Sequence, residues 1–451
     1  MNTSQIAMTE IGIINRTLRN FGIDAGVAQS NTMIAEWGHF YYGLTLGRAV
    51  KIASVRALRE EVAEAISRFR GSAVHVRVGT QPVGFEIPHP QPKKLVWGET
   101  VEGLVPHSML LGRSFSYNGP KEEILKFDDE PHVLIAGQTN AGKSVLLSTI
   151  VSTLASVTSP DELRIILVDL KNEDLIPFQN LPHTEYFAGD LSGAIKALRI
   201  MQQVKQDRIK NQEKGYRLLL VIDELAQIQN DDALQMLGSI LAVGRSKGLN
   251  VIAATQQPLA SVVGSLAKAN FSTRLVGRVA DATAANVASG RRETDAQFLP
   301  GKGSFLRISG SDIRRFQSYY LPEGEKTAEV ISAISDQYPR GGSLLNIPRT
   351  EMPDIVQAES DDIANIAEKI KPTYFELRDD SAKYGVRNLS SVIRAAFGED
   401  ANTGGANRTR VISALDMLKT TTTTGNIPEI APEVVEMSVS SGSSSSNGRM
   451  M

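Results

Sequence analysis

Residues 132–144 read His-Val-Leu-Ile-Ala-Gly-Gln-Thr-Asn-Ala-Gly-Lys-Ser. A phosphate chain needs two glycines, a lysine and a hydroxyl at this spacing. The glycines let a tight loop turn its amides inward around phosphate oxygens. Lys143 reaches the β- and γ-phosphates, and Ser144 offers a hydroxyl to Mg²⁺. Gly137, Gln138, Thr139, Asn140, Ala141, Gly142, Lys143, Ser144 and Val145 thus form a candidate nucleotide cradle. An apolar run (133–136) precedes the loop and a helical pattern (145–155) follows, so a helix N-terminus adds its dipole to the site. The pattern implies ATP, with Mg²⁺, as the cofactor.

A second constellation narrows the chemistry. Residues 218–222 are an apolar run ending in Asp223 and Glu224. Asp223, at a strand end, can hold the hydration shell of Mg²⁺ opposite Ser144. Glu224 stands where a carboxylate would polarise a water for in-line attack on the γ-phosphate. The bland reading of the pair is a helix N-cap with an acidic neighbour. Another buried run, 250–255, leads into Gln256. Thr255 and Gln256 are candidate sensors of the γ-phosphate, or else simply the turn before Pro258.

These residues must be positioned by a scaffold, and the bulk composition limits which. At 451 residues the chain exceeds one ordinary core, and 41% hydrophobic with 22% charged residues is a globular balance. The net charge of −2 gives no bulk sign of a nucleic-acid partner, so any basic surface must be local. The absence of cysteine excludes disulfides, thiol catalysis and cysteine-based zinc sites. The sequence shows neither a signal peptide nor a membrane-spanning run, which leads us to expect a cytoplasmic location.

Residues 1–36 read as a short helical segment with Ile11, Ile14, Leu18 and Phe21 on one face. Residues 37–100 form a small α/β module: a strand at 40–46, a helix at 55–69, strands at 74–78 and 83–87, and a closing run with Pro88, Pro90 and Pro92. Residues 101–340 alternate strands (133–136, 164–169, 217–223, 250–255, 272–279, 303–308) with helical patterns, which predicts a parallel sheet covered by helices on both faces. Residues 341–380 make an acidic linker. Residues 381–424 carry two helical patterns with a local excess of basic residues, and 425–451 are too polar to order.

Residues 131–145 resemble the phosphate-binding loop of FtsK/SpoIIIE-family DNA translocases. Residues 166–171, which end in Asp169-Leu-Lys171, are similar to the family's next strand, with Leu181-Pro182-His183 as its turn. Residues 221–226 resemble its acidic strand end, and 245–256 and 268–274 its later motifs. The resemblance covers roughly 40–321, and it also extends to the small module before the motor.

The resemblance implies a RecA-like P-loop core that assembles as a homo-hexamer around double-stranded DNA. A neighbour then supplies an arginine to each ATP site, with Arg245 and Arg274 as candidates. It also implies that Arg291, Arg292 and Lys302 lie near the pore and contact DNA phosphates, unless their loop is simply solvated. Residues 381–424 would be a winged helix-turn-helix whose Arg408 and Arg410 open the recognition helix, or a plain helical hairpin.

The expected function is ATP-driven translocation of double-stranded DNA, of a plasmid, conjugative-element or phage type. The alternatives are a protein-secretion ATPase of the same superfamily and a DNA-binding ATPase switch that does not move.

Overall fold

Asn2 caps the first helix, α1 (Thr3–Asn20), through a reciprocal pair: its side-chain oxygen accepts the Gln5 amide, and the Gln5 side chain accepts the Asn2 amide. The chain turns at Gly22 into strand β1 (Ala25–Ile34), which pairs antiparallel with β2 (His39–Leu46). Helices α2 (Ile52–Ala57) and α3 (Arg59–Arg70) follow, then β3 (Arg77–Thr80) and β4 (Val83–Pro88). The four strands form an antiparallel sheet in the order β1-β2-β4-β3.

Ile14 and Leu18 of α1, Val62 and Ile66 of α3, and Phe40, Phe85 and Ile87 of the sheet make one buried core. Residues 1–36 are therefore not a separate helical segment. Strand β1 and the buried face of α1 belong to the module, and the strand went unread because its polar Gln29, Ser30 and Asn31 break the alternation. Phe21, expected on the apolar face, caps the helix and is exposed. The single helix expected at 55–69 is two, broken at Leu58; the break leaves Val55, Leu58 and Val62 on one buried face, so the period hides it.

This computed structural model describes residues 1–339 and 345, apart from 81–82, 99–100, 102, 117–118, 258–270 and 323. The remainder of the acidic stretch, the helix-turn-helix candidate with Arg408 and Arg410, and the tail lie outside the described residues. Among the described residues no helix is long and apolar enough to cross a membrane.

The larger domain, called the motor here after the family it resembles, begins with an antiparallel hairpin, β5 (Ser108–Ser116) and β6 (Gly119–Lys126). The α/β alternation follows: β7 (His132–Ala136), α4 (Lys143–Val157), β8 (Leu163–Val168), β9 (Thr184–Ala188), α5 (Leu191–Lys210), β10 (Arg217–Ile222), α6 (Asp231–Val243), β11 (Leu249–Thr255) and β12 (Thr273–Val276). Helix α7 (Ala282–Ser289), a second hairpin of β13 (Ser304–Ser309) and β14 (Asp312–Ser318), and helix α8 (Glu325–Gln337) complete it.

The sheet order is β6-β5-β14-β13-β12-β7-β11-β10-β8-β9. Strands β7 to β12 are mutually parallel, and β7, β8, β10 and β11 are buried along their whole length, as continuous apolar runs require. The expected all-parallel sheet is corrected on one side, where β13, β14, β5 and β6 extend it in antiparallel register. Strands β5, β6 and β14 were hard to read because their charges find partners only in the fold: Arg113 with Glu122 on the adjacent strand, Glu123 with Arg307 of β13, and Arg315 with Glu86 of β4. Their sequences look like solvated loops until the partners are brought together. Leu146, Leu147, Ile150 and Leu154 of α4 fill the core against Val133, Leu219, Ile252 and Phe305.

Module and motor lie in one compact unit, Met1–Asn346, joined by a buried ionic cluster. Glu86 on β4 receives Arg77 on one oxygen (2.6 Å) and Arg315 of β14 on the other (2.9 Å). Arg77 Nε also donates to the Thr294 carbonyl (3.0 Å), and Arg315 Nε to Ser304 Oγ (3.1 Å). Arg56 pairs with Glu293, and Arg59 lies 3.7 Å from Asp295 with its guanidinium over the Phe298 ring. Burial pushes the Glu86 carboxyl up, but the Arg77 and Arg315 charges outweigh it and hold it at about 2.

Removing one partner from a buried ion cluster strands the others, at a cost of about 3–5 kcal/mol. Glu86→Gln should therefore lower the denaturant midpoint of the unit. Because the folded carboxyl titrates far below its ordinary 4.5, its stabilisation is complete above pH 4.5 and lost as pH falls towards 2. Denaturation series at pH 7 and pH 3 should show the gap between variant and parent narrowing with acid. A gap that is constant or absent at both pH values would refute this assignment.

Candidate active site

The loop after β7 binds its own chain in a way that leaves a concave face free. The Gly137 amide donates to the Thr255 carbonyl (3.2 Å), the Gln138 amide to the Arg278 carbonyl (2.8 Å) and the Ala141 amide to the Gln138 carbonyl (3.0 Å). On its outer side, the Asn140 carbonyl accepts the Lys302 amide (3.0 Å), and the Ala141 carbonyl accepts the Gly303 amide (2.8 Å). Asn140 and Gly142 have φ of 64° and 97°, and a side chain at Gly142 would meet the Gly303 nitrogen at 2.6 Å. Helix α4 starts here with no side-chain cap, so the amides of Lys143, Ser144 and Val145 remain available to an anion. Of the nine cradle residues expected from sequence, Gly137 to Gly142 form the loop and Lys143, Ser144 and Val145 the first turn of α4.

Lys143 is buried at the base of this loop. Burial lowers its ammonium pKa, while Glu224 and Asp223 pull it back up and Lys171 adds to the lowering. A lysine held this way lacks a full counter-ion and suits a polyanionic ligand.

Glu224 follows β10, and three donors hold its carboxylate. Thr255 Oγ1 donates to Oε1 (2.8 Å), and the Gln256 amide donates to both oxygens (3.1 and 3.0 Å). Lys171 Nζ stands 3.8 Å from Glu224 and 3.9 Å from Asp223. Thr139 Oγ1 reaches the Gln256 side chain at 3.4 Å. Thr255 and Gln256 are therefore part of the site, and their most direct contact is with the candidate base, not with the loop.

Asp223 is buried, and its Oδ2 has no hydrogen-bond partner among the described residues. Burial raises its pKa to about 6, with the Asp174 carboxylate the next cause. Ser144 Oγ donates to Asp174. Mg²⁺ is typically held by one or two carboxylates together with waters and ligand phosphates. An orphaned carboxylate oxygen, an uncompensated neighbouring acid and a hydroxyl fit that ion, and Ser144, Asp223 and Asp174 would hold it.

Sequence reading missed Asp174. It also missed the role of Asp169, whose oxygens accept the amides of Lys171, Glu173 and Leu175 (3.2, 3.0 and 2.8 Å) and so shape the loop that carries Lys171 and Asp174. The run Asp169-Leu-Lys-Asn-Glu-Asp174 was the available signal.

The two candidate arginines part company. Arg274, on β12, is buried, and its guanidinium faces the Ala288 carbonyl (3.5 Å) at the C-terminal end of α7. A cation suits the helix dipole at that place. Arg245 is exposed just before β11, at the opposite end of the parallel strands from the loop, donating to the Asp128 carbonyl (2.9 Å).

The basic trio also separates. Arg291 and Arg292 follow the Gly290 turn that ends α7, and Arg292 is exposed. Lys302 stands with φ 50° in the turn that braces the phosphate loop.

Residues 99–263 match the family model described as "FtsK/SpoIIIE family". The chain is 24% identical over 367 residues to "DNA translocase FtsK" of Tropheryma whipplei, covering 73% of this chain and 48% of that protein. It is 26% identical over 348 residues to the protein of the same name from Borreliella burgdorferi, covering 69% and 43% respectively. The chain thus spans about half the length of these curated relatives, or less. Among solved structures, the pCW3 conjugation coupling protein TcpA with ATPγS aligns over 73% of this chain and 99% of its own, at a TM-score of 0.49 and 17% identity. The phosphate loop, the acidic strand end and the strand joining them all fall inside the matched segment, and over that segment the chain is similar to the FtsK/SpoIIIE family.

Proposed function

We propose that this chain hydrolyses ATP and uses the energy to move double-stranded DNA. The observation that carries the reading is Glu224. Its carboxylate is buried and held by Thr255 and the Gln256 amide, within electrostatic reach of Lys143 and next to an acid suited to Mg²⁺. Simple phosphate binding has no use for an oriented base at that place.

In this reading Lys143 and the first amides of α4 bind the triphosphate. Glu224 takes the proton from a water whose oxygen attacks the γ-phosphorus as the β–γ bridging oxygen leaves with ADP. A Mg²⁺ ion bound at Ser144 and Asp223 would supply charge neutralisation on the phosphates. Lys171 steadies both carboxylates before the ligand arrives. Loss of the γ-phosphate reaches Gln256 through Thr139 and Glu224, which gives the hydrolysis state a route to β11.

A ring of copies needs a heterologous interface, in which the face that gives the arginine differs from the face that holds the nucleotide. Arg245, exposed at the opposite end of the parallel strands from the loop, meets that condition better than the buried Arg274. Arg291, Arg292 and Lys302 remain candidates for DNA phosphates, since only the backbone of Lys302 is engaged at the loop and its side chain is exposed. The family's DNA translocases support DNA as the substrate. A hexameric ring and a plasmid, conjugative-element or phage context go with that proposal.

Glu224→Gln should keep nucleotide affinity and lower phosphate release by about 10²-fold or more, as loss of a general base does. Equal turnover in the two proteins would remove Glu224 from the chemistry. Arg245→Ala should lower turnover by about 10³-fold with binding retained, and mixing it with Lys143→Ala subunits should restore part of the rate at shared interfaces. Unchanged turnover would exclude Arg245 as the trans arginine.

Displacement of a third strand from duplex DNA in the presence of ATP tests movement directly. Stimulated hydrolysis without displacement would indicate a stationary switch, and no response to DNA would remove DNA as the substrate. Arg291→Ala with Arg292→Ala should flatten the log–log salt slope of DNA binding by about 2.

A further inference from the structure

Residues 290–303 leave the C-terminal end of α7 and finish behind the phosphate loop. At the first end Ser289 Oγ accepts the Arg291 amide (3.1 Å), and Arg292 follows. At the far end the Lys302 and Gly303 amides hold the loop carbonyls. The candidate DNA contacts thus stand at the two ends of one segment, and one of those ends touches the nucleotide loop.

Between the ends, two arginines of the module grip the chain. Arg56 of α2 pairs with the Glu293 carboxylate and also donates to the Glu293 carbonyl (3.4 Å). Asp295 lies 3.7 Å from Arg59 and 3.8 Å from Arg56. The Arg59 guanidinium stands 3.8 Å over the Phe298 ring.

Two features make this grip metastable. The first is backbone strain. Glu293, Asp295 and Lys302 have φ of 59°, 55° and 50°, so three of the seven positive-φ residues other than glycine, among the described residues, fall in this segment. Such conformations persist only while their surroundings impose them. The second is incomplete pairing. Arg56 Nε, Thr294 Oγ1, Asp295 Oδ2 and Gln297 Oε1 are buried without a hydrogen-bond partner among the described residues. Release of the segment would let these groups pair with water as the backbone relaxes.

The grip is also open to exchange. Arg56 and Arg59 keep 16% and 19% of their side chains accessible, and Glu293 is 73% exposed. A guanidinium pairs with a phosphate as well as with a carboxylate. A duplex drawn to Arg291 and Arg292 brings phosphates within a few residues of the carboxylates that the two module arginines hold.

We propose that Arg56 and Arg59 form an autoinhibitory latch on residues 290–303. Latched, the segment fixes the turn behind the phosphate loop and slows the loop movement that product release needs. DNA phosphates take the two arginines from Glu293 and Asp295, the segment relaxes, and ADP leaves faster. The latch rests on the readings of the phosphate loop as an ATP site and of Arg291 and Arg292 as DNA contacts.

The test uses the full chain, a linear duplex and a fluorescent ADP derivative. Glu293→Ala removes an exposed side chain. It should raise DNA-free turnover and ADP release by about fivefold or more, the low end of allosteric coupling, with little further gain from the duplex. A damaged fold would give a loss instead. The converse variant exploits the absence of cysteine: Arg56→Cys with Glu293→Cys should behave like Glu293→Ala until a short bis-maleimide joins the two thiols. The joined chain should then bind duplex yet keep ADP release at the DNA-free rate of the parent.

If Glu293→Ala matches the parent both without DNA and with it, the latch fails, while the ATP and DNA readings stand. Duplex that binds the parent without speeding ADP release, or that still accelerates the joined chain, overturns the latch equally. Duplex that does not bind removes the DNA reading and the latch with it.

Discussion

A phosphate-binding loop can turn its amides inward only if its outward carbonyls find other donors, since a buried carbonyl without one is costly. Here the donors are the Lys302 and Gly303 amides, presented by three consecutive residues with positive φ: Gly301 at 79°, Lys302 at 50° and Gly303 at 87°. Lys302 occupies a conformation that a side chain adopts at some expense. The turn in turn rests on β14, where the Ser318 amide reaches the Gly303 carbonyl (2.7 Å) and the Gln317 side chain reaches the Lys302 carbonyl (2.7 Å). Three residues before Ser318, Arg315 enters the Glu86 cluster of the module. One line of contacts thus joins the N-terminal sheet, the antiparallel hairpin, the bracing turn and the nucleotide loop.

The charges of the site follow a different logic. Asp169, Asp174, Asp223 and Glu224 gather at the ends of β8 and β10, with Lys143 and Lys171 among them. Each acid has a distinct set of partners, and that separates their roles. Asp169 is consumed by backbone amides, Glu224 by Thr255 and Gln256, and Asp174 accepts from Ser144. Asp223 alone keeps a buried oxygen without a hydrogen bond, and burial raises its pKa. Four carboxylates within a few residues of two strands are told apart by what donates to them.

The parallel half of the motor sheet was legible because strands buried on both faces need continuous apolar runs, and residues 164–168, 218–222 and 250–254 are such runs. The cradle was legible because glycine spacing, lysine and serine are local requirements of one loop. Strands β5, β6 and β14 were not, since charged residues on them face partners distant in sequence, as Glu123 faces Arg307, and β1 was not because the exposed Gln29 and Ser30 break its alternation. The surroundings of Arg274 were hidden for a related reason. A motif names a residue, but only the packing of α7 behind β12 shows that its guanidinium is spent on Ala288.

The amino-acid sequence by itself determined the chemistry: a phosphate loop, an acidic strand end and the order of elements between them, all set by interactions within a few residues. Tertiary structure alone decided what surrounds that chemistry. It placed Thr255 and Gln256 on Glu224, added Asp174 to Ser144 and put Lys302 behind the loop. Those contacts link residues that lie from 30 to more than 160 positions apart. No local pattern encodes them, because their energy comes from desolvation and charge pairing that exist only once the chain has folded.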